Sequence, residues 1–367
     1  MKKFYSIIAL LSLSLIVAQA GAPASPYYAG SNWTLTGTAL KSALKTKIIS
    51  THTNFLSYTP GVWNASRITD LDPNNSNNVI LIYGWENGSD NVGTNDKSRD
   101  KFANGGNAGQ WNREHVFAKS LGNPTLLDGG TENTSSSDAG EDAHHLRPAD
   151  LQWNGVRGNS KFATGSGNSG NVAGGWYPGD EWKGDVARMM MYMYLRYDTQ
   201  CLPIYVGTGS SPASDSNMLN LFLQWNVEDP VSAFEDSRNT YHGNTANTYA
   251  QGNRNPFIDN PYLATLIWGG TAAENRWPSV ILSTETFDKF ANIFIYPNPS
   301  NNHKINIQTD IVLDEIDLIN LNGQLIQVIK KPDLQNQKYT LENLPQGFYF
   351  LKMTSDNQSI TKSIIVN

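Results

Sequence analysis

The spacing of apolar residues changes between residues 271 and 291. This change divides the chain into two parts that must fold differently. The earlier part combines apolar residues at helical spacing with long tracts of Gly, Asn and Ser. After Phe294, short alternating apolar segments follow one another, and a period of two is typical of strands with one buried face. The sequence therefore predicts an α+β protein, with a mixed, mainly helical domain over 21–270, a linker over 271–291 and a small β-sandwich over 292–367.

The first twenty residues have the organisation of a secretory signal. Lys2 and Lys3 precede an apolar run from Ile7 to Val17, and small residues follow in Ala18-Gln19-Ala20. This run is too short to span a bilayer comfortably, and no later stretch approaches the roughly 20 apolar residues of a membrane helix. We therefore expect a signal peptide over 1–20 and an exported, soluble monomer without a membrane span.

Five stretches before residue 270 carry signals of regular structure. Apolar residues at helical spacing predict helices over 36–58, Trp182–Tyr197, 218–225 and 232–241. The β-branched run Val79–Tyr83 predicts a buried strand. The methionine and tyrosine stripe of the second helix is typical of a core face.

The formal net charge of -6 argues mildly against a protein that coats nucleic acid. A catalyst needs only a local basic groove, so this charge does not exclude an enzyme that acts on a polyanion. The candidate groove residues are Arg113, Lys119, Arg147, Arg157, Lys161 and Lys183.

Two segments carry side chains suited to phosphodiester cleavage, which requires an activated water and a cation beside the phosphoryl oxygens. Residues 111–116 place Arg113, Glu114 and His115 together. Neighbouring strand residues point to opposite faces, so Glu114 and His115 can share a site only if the chain bends there. In residues 154–159, Asn154 and Arg157 are three apart and would share one face of a short helix.

Oxygen ligands such as Glu114 and the Asn154 amide suit a hard cation, Mg²⁺ or Ca²⁺, whereas zinc recruits more His or Cys. His144 and His145 follow Asp142 in a third segment. Each of these histidines is either a residue of the site or a buried residue whose ring only makes hydrogen bonds.

In their order and spacing, these segments resemble the bacterial endonuclease I family, which belongs to the His-Me finger, or ββα-metal, group. The resemblance extends from about Thr36 to Trp268. Its matching segments are 112–120, 142–148, 154–159, 183–188, 229–231, 238–239 and 251–257.

The resemblance implies that His115 is the general base and that Glu114 and Asn154 hold Mg²⁺, with Ca²⁺ or Mn²⁺ as alternatives. Products would then carry 5′-phosphates. After His115 the chain lacks an arginine that matches the phosphate-stabilising one of the family. Lys119, Arg147 and Arg157 are the alternatives for this electrostatic role. The catalytic candidates beside His115 are thus Arg113, Arg147 and Arg157, and the further candidate site residues are His144, Lys119 and Asn159.

The C-terminal part resembles the type A sorting domain of the type IX secretion system. The resemblance rests on Tyr296-Pro297-Asn298-Pro299, on the Gly-aromatic strand 347–352 and on the basic and aliphatic end 362–367. It implies that this domain is an export address for the type IX secretion machinery and has no catalytic role.

The sequence thus favours a secreted, metal-dependent, sequence-nonspecific endonuclease that acts on DNA, with RNA as an alternative substrate. One alternative is a zinc hydrolase that uses His144 and His145, although the sequence has no His-Glu-x-x-His motif. A second alternative is a noncatalytic secreted module that binds polymers through exposed tryptophans.

Overall fold

The computed structural model describes residues 22–88, 92–129, 138–281, 293–355 and 358–367. The predicted signal peptide and residues 282–291 of the predicted linker lie outside these ranges. The chain divides into two compact units, Met1–Leu282 and Ser283–Asn367. Within the described residues, no helix is both long and apolar enough to cross a bilayer.

The first unit combines helices with short antiparallel sheets, as an α+β domain does. Its helices are α1 (Gly37–Thr51), α2 (Trp63–Thr69), α3 (Leu151–Arg157), α4 (Lys183–Tyr197), α5 (Pro203–Val206), α6 (Asn220–Glu228), α7 (Ala233–His242), α8 (Pro256–Asp259) and α9 (Tyr262–Trp268). Its strands are β1 (Leu71–Asp72), β2 (Asn75–Ile80), β3 (Ser98–Asp100), β4 (Trp111–His115), β5 (Leu146–Asp150), β6 (Gly170–Val172) and β7 (Gly175–Tyr177). β2 lies between β1 and β3, while β4 pairs with β5 and β6 with β7.

Helix α4 is the central element of this unit and confirms the helix predicted over Trp182–Tyr197. It packs against α6, α1 and α8. Burial extends around the whole helix rather than along one stripe, because Met190, Met191, Tyr192 and Met193 are all fully buried. A helix that is covered on every side supports the elements around it.

Helix α1 is shorter than the sequence predicts. It ends at Thr51 instead of continuing toward residue 58. The backbone N–H groups of Thr53 and Asn54 donate to the carbonyl of Gln251 at 3.0 and 3.1 Å. These bonds from a distant segment replace the intrahelical bonds that a longer helix would have made.

The predicted strand Val79–Tyr83 is displaced toward the N-terminus, since β2 ends at Ile80. Tyr83 has a φ of +73°, in the left-handed region that a strand does not use. The backbone of Ile82 still donates to the carbonyl of Pro148 at 2.8 Å. The segment after β2 is therefore held beside β5, where the candidate site lies.

Residues 271–281, predicted as linker, pack onto the first unit. Trp277 and Ile281 are buried in its core. The Trp277 ring contacts those of Tyr28 and Trp33, with centroid distances of 5.3 and 4.9 Å. The N-terminal and C-terminal ends of the unit are thus joined by one aromatic cluster.

The second unit consists of two antiparallel sheets around one apolar core. The strands are β8 (Phe294–Tyr296), β9 (Ile305–Gln308), β10 (Glu315–Asn320), β11 (Leu325–Lys330), β12 (Lys338–Leu341), β13 (Gly347–Ser355) and β14 (Gln358–Val366). One sheet has the order β11-β10-β13-β14 and the other β12-β9-β8. Residues such as Ile307, Leu318 and Leu351 meet in the shared core, the arrangement of a β-sandwich. The alternating segments predict five of these strands, near 305–307, 316–318, 325–328, 348–353 and 360–366, and β8 and β12 are the two that they do not predict.

Candidate active site

Strands β4 and β5 bring together two segments that are far apart in sequence. In their antiparallel register, His115 lies opposite Leu146 at the end of the pair. The chain leaves β4 directly after His115, although the backbone of Val116 still donates to the carbonyl of His145 at 3.1 Å. The chain bends at Val116 and Phe117, and Glu114 and His115 both line the cleft described below.

Helix α3 begins directly where β5 ends. The Asp150 carboxylate accepts a hydrogen bond from the backbone of Trp153 at 2.8 Å and so caps the helix. Gly158, with a φ of +54°, follows its last residue, a conformation that glycine adopts without steric cost. These two local signals determine the seven-residue length of α3, and with it the positions of Asn154 and Arg157.

An open cleft of about 260 Å³ lies between β4, α3 and the turn that follows β4. Seven of the candidate residues line it, and Arg147, His144, His145, Lys161 and Lys183 do not. Lys161 donates to the carbonyl of Ile204 at 3.0 Å, Lys183 pairs with Glu228 at 2.8 Å, and the His145 ring lies 2.8 Å from the carbonyl of Ala139. The lining residues are Arg113, Glu114, His115, Ala118, Lys119, Ser120, Asn154, Arg157, Gly158 and Asn159.

Glu114 is the acid of this cleft and is only 2% exposed. Its Oε1 accepts a hydrogen bond from the Tyr83 hydroxyl at 3.0 Å and lies 3.1 Å from Nη1 of Arg157. Burial raises the pKa of Glu114 to about 7, against the opposing effects of Arg157 and Tyr83. Within the described residues Oε2 has no hydrogen-bond partner, so this oxygen can bind a cation.

The amide of Asn154 is oriented by a second asparagine. Its Nδ2 donates to Oδ1 of Asn112 at 2.8 Å. Because the amide nitrogen makes this bond, the amide oxygen Oδ1 of Asn154 remains available as an acceptor in the cleft. Glu114 and Asn154 therefore offer two hard oxygen ligands to the same cleft.

The imidazole of His115 is held by a backbone carbonyl. Its Nε2 lies 2.9 Å from the carbonyl oxygen of Gly140, which can only accept, so Nε2 carries the proton and Nδ1 has the lone pair. The Tyr58 ring stacks on the imidazole with centroids 5.3 Å apart. Burial, followed by the neighbouring His145, lowers the pKa of His115 well below its ordinary value, so the ring is neutral at pH 7.

Gly140 has to be glycine for a steric reason. A Cβ at this position would overlap the carbonyl oxygen of Leu127. The carbonyl that orients His115 thus belongs to a turn packed too closely for a side chain.

Arg157 is buried behind the cleft, with 1% of its surface exposed. Its guanidinium donates to the carbonyl oxygens of His115 and Val116 at 3.1 and 3.0 Å. It also forms the ion pair with Glu114 described above. Arg157 therefore connects α3 to the end of β4 and holds the Glu114 carboxylate.

Arg113 reaches the cleft from the other side. Its guanidinium lies over the Tyr58 and Trp63 rings at 3.4 and 4.1 Å, and it donates to Oγ1 of Thr59 at 3.0 Å. Lys119 forms an ion pair with Asp128 at 2.5 Å. Asn159 donates to the Ser120 hydroxyl at 3.3 Å.

The position of Arg147 differs from the sequence expectation of a groove residue. Its side chain is fully buried. Nε donates to Asp70 at 2.6 Å and Nη1 to Asp185 at 3.1 Å. Two partners that are distant in sequence hold this guanidinium in the interior, away from the cleft.

His144 also lies in the interior, in a polar cluster around Asp142. The Asp142 carboxylate accepts hydrogen bonds from Tyr192 and Gln251 at 2.7 and 3.0 Å. It also accepts the backbone N–H of His144 at 2.9 Å, while the His144 ring lies 3.1 Å from the Asn253 carbonyl. The hydrogen-bonding role that the sequence left open for His144 is the one its surroundings supply.

This histidine-rich interior makes stability depend on pH. Burial lowers the pKa of His52, His144 and His145 to about 4 in each case. The unfolded chain, where histidine titrates near 6.5, binds these protons more readily. The stabilising contribution is therefore complete above about pH 6.5 and is lost as the pH falls toward 4.

Urea unfolding followed by tryptophan fluorescence should show a midpoint that falls between pH 7 and pH 4. One pKa unit corresponds to about 1.4 kcal/mol, so the free energy of unfolding should drop by several kcal/mol. The variant His145→Asn, which cannot titrate, should show a smaller drop. A midpoint that stays constant or rises over this range would contradict the burial of neutral histidines.

Four residues that orient the side chains of the site were not singled out as candidates from the sequence: Tyr58, Tyr83, Asn112 and Gly140. Asn112 carried a usable signal, because it lies two positions before Glu114 and residues two apart share a face of a strand. Tyr83 and Gly140 contact the site because distant segments pack together. No local sequence pattern predicts these contacts.

The described residues hold no preformed cluster of metal-ligating side chains. Across the ranges that the structure describes, no group of three or more His, Cys, Asp or Glu side chains is arranged to hold a metal ion. Zinc sites in proteins use three or four such ligands, whereas Mg²⁺ binds through one or two carboxylates and keeps its waters.

Comparison with known proteins identifies the family of each unit. Residues 36–262 match the family model Endonuclease I. Residues 294–367 match the model Secretion system C-terminal sorting domain, which confirms the sorting domain expected at this end. The protein is therefore secreted or attached to the cell surface.

Two curated relatives are similar over most of their own length. An extracellular ribonuclease of Bacillus amyloliquefaciens is 46% identical over 242 residues, which are 63% of this chain and 74% of the relative. An extracellular ribonuclease of Bacillus subtilis (strain 168) is 45% identical over 263 residues, 67% of this chain and 82% of the relative. Together with the family match, this similarity shows that the chain is a nuclease that belongs to the endonuclease I family and carries a type IX secretion sorting domain.

Proposed function

We propose that the protein is a metal-dependent, sequence-nonspecific endonuclease that hydrolyses phosphodiester bonds in DNA and RNA and produces 5′-phosphate ends. The observation that carries this proposal is the meeting of Glu114, His115 and Asn154 in one open cleft. Two antiparallel strands followed by a short helix supply these side chains, which supports a ββα-metal, or His-Me finger, motif made of β4, β5 and α3.

Glu114 and Asn154 would hold the metal ion. Two oxygen ligands beside an open cleft, without a group of three or more His, Cys, Asp or Glu arranged to hold a metal ion in the described residues, fit Mg²⁺ best, with Ca²⁺ and Mn²⁺ as alternatives. A bound Mg²⁺ would stabilise the negative charge on the phosphoryl and leaving oxygens during hydrolysis.

His115 acts as the general base in this proposal. Because the Gly140 carbonyl accepts a hydrogen bond from the Nε2–H group, Nδ1 is free to take a proton from the attacking water. The neutral state that burial enforces leaves the lone pair available at pH 7.

The remaining residues divide into two groups by their exposure. Tyr83, Asn112 and Arg157 position the reacting groups, since each is bonded to Glu114, Asn154 or the backbone of His115. Arg113 and Lys119 line the cleft itself. Arg113 has no carboxylate partner among the described residues, so its charge is available to the phosphate, whereas Lys119 is paired with Asp128.

RNA belongs among the proposed substrates because both relatives are named extracellular ribonucleases. DNA is included because none of the proposed roles requires a 2′-hydroxyl. The general base acts on water, and the metal ligands and the cations act on the phosphate.

Metal removal tests this proposal directly. The secreted protein should nick supercoiled plasmid and degrade single-stranded RNA with Mg²⁺, and EDTA should abolish both activities because the oxygen ligands alone cannot stabilise the phosphoryl charge. Gel electrophoresis measures the cleavage, and end-labelling identifies the 5′-phosphates.

Restoring Mg²⁺ in excess over EDTA is the control for irreversible damage. Full activity in EDTA would overturn the metal dependence. Intact DNA and RNA that shift with a folded protein would favour a noncatalytic binding module instead.

A further inference from the structure

A strip of cationic and aromatic side chains leads away from the cleft along α2. It begins with Arg113 over the Trp63 ring, 4.1 Å from its centre. Arg67 follows one helical turn after Trp63, and its guanidinium lies 5.2 Å from the centre of the Phe102 ring. Lys101 Nζ lies 5.8 Å from the same ring centre. We call these five residues the basic strip.

The cations of the basic strip have neutral partners. Arg67 donates to two asparagine side chains and one backbone carbonyl, and Lys101 donates to the carbonyl of Ser76 at 2.9 Å. Within the described residues, no carboxylate forms a salt bridge with Arg67, Lys101 or Arg113. The strip therefore retains a local positive charge in a chain whose net charge is -6.

Phe102 is the exposed end of the strip, with 67% of its surface accessible. Its backbone N–H donates to the Asp100 carboxylate at 2.7 Å, and the backbone of Ala103 donates to the carbonyl of Asp100 at 3.0 Å. The turn thus holds a large apolar ring in solvent, between two cations.

We propose that the basic strip binds the single-stranded nucleotides that flank the scissile phosphate, with a base stacked on Phe102 and phosphates beside Arg67 and Lys101. This proposal rests on the proposed nuclease function. Aromatic rings between cations bind single strands because every base has a face that can stack and every nucleotide carries a phosphate. The contacts given above span roughly 15 Å from Arg113 to Phe102, enough for several nucleotides.

A duplex does not offer this binding mode, since its bases are already stacked on one another. The expected ligand is therefore a single strand of RNA or DNA, and the strip should distinguish single strands from duplexes rather than RNA from DNA.

Fluorescence anisotropy in EDTA tests the strip without cleavage. The probes are labelled single strands of about ten nucleotides, as DNA and as RNA, and the matching duplex. Phe102→Ala should raise the Kd for both single strands about tenfold and leave that for the duplex unchanged. Phe102→Trp should bind like the wild type. Phe294→Ala removes a similarly exposed ring, 59% accessible, from the second unit and should have no effect.

Two results would overturn the proposal: an unchanged Kd of Phe102→Ala for single strands, or an equal loss for duplex and single strands. Cleavage kinetics with Mg²⁺ give an independent readout, because KM for a ten-nucleotide strand should rise while kcat and the KM of a dinucleotide stay constant. If the wild type cleaves nothing, the proposed function fails, but the binding measurements still decide whether the strip exists.

Discussion

The variant His115→Ala should lose about 10³-fold in kcat for cleavage of plasmid and of RNA, with a folded structure and nearly unchanged substrate binding. General base catalysis contributes roughly 10²- to 10⁴-fold. In this protein the imidazole is oriented by Gly140 and Tyr58, and alanine leaves the attacking water without a proton acceptor. Single-turnover cleavage with saturating Mg²⁺ measures the effect on the chemical step.

Added imidazole should restore part of the lost activity, because a free base can occupy the space that the side chain leaves. The matched control is His303→Ala, which removes an exposed histidine from the second unit and should leave kcat unchanged. A loss of less than tenfold in His115→Ala would show that another group accepts the proton.

The variant Arg147→Ala should be destabilised by about 3–5 kcal/mol, the typical cost of removing one partner of a buried ion pair. It leaves the buried carboxylates of Asp70 and Asp185 without this guanidinium. Urea unfolding followed by tryptophan fluorescence measures the loss in the first unit alone, since all tryptophans lie before residue 278.

Arg113→Ala is the matched control on the cleft side. It should keep most of the stability but lower cleavage, because its guanidinium is partly exposed and lines the cleft. The opposite pattern, a stable Arg147→Ala with greatly reduced kcat, would contradict this structural role. It would support the catalytic role for which Arg147 is a candidate in the sequence.

The contacts of Arg113 and Arg147 explain why their alanine variants should have different effects. Both belong to the paired strands β4 and β5, and the sequence alone makes them equally good candidates for a basic groove. Arg113 has aromatic rings and a hydroxyl as partners, so its charge is available to a phosphate. Arg147 is neutralised by two carboxylates, so its charge serves the core.

Local signals in the sequence determined much of the site. Asp150 and Gly158 bound helix α3, and the spacing of Asn154 and Arg157 then places both on the cleft. Helix α4 and five of the seven strands of the second unit were predicted from periodicity, because apolar residues recur every turn of a helix or every second residue of a strand. Only the structure showed that α4 is buried on every side. Order and spacing of the motifs were sufficient to recognise the family.

Only the tertiary structure decided which side chains share the cleft. The bond from Tyr83 to Glu114 and the contact of His115 with the Gly140 carbonyl bring together parts of the chain that are 25 or more residues apart. The burial of Arg147 depends in the same way on Asp70, 77 positions away. Such contacts form because distant segments pack in one interior, and a local pattern does not encode the partner that packing selects.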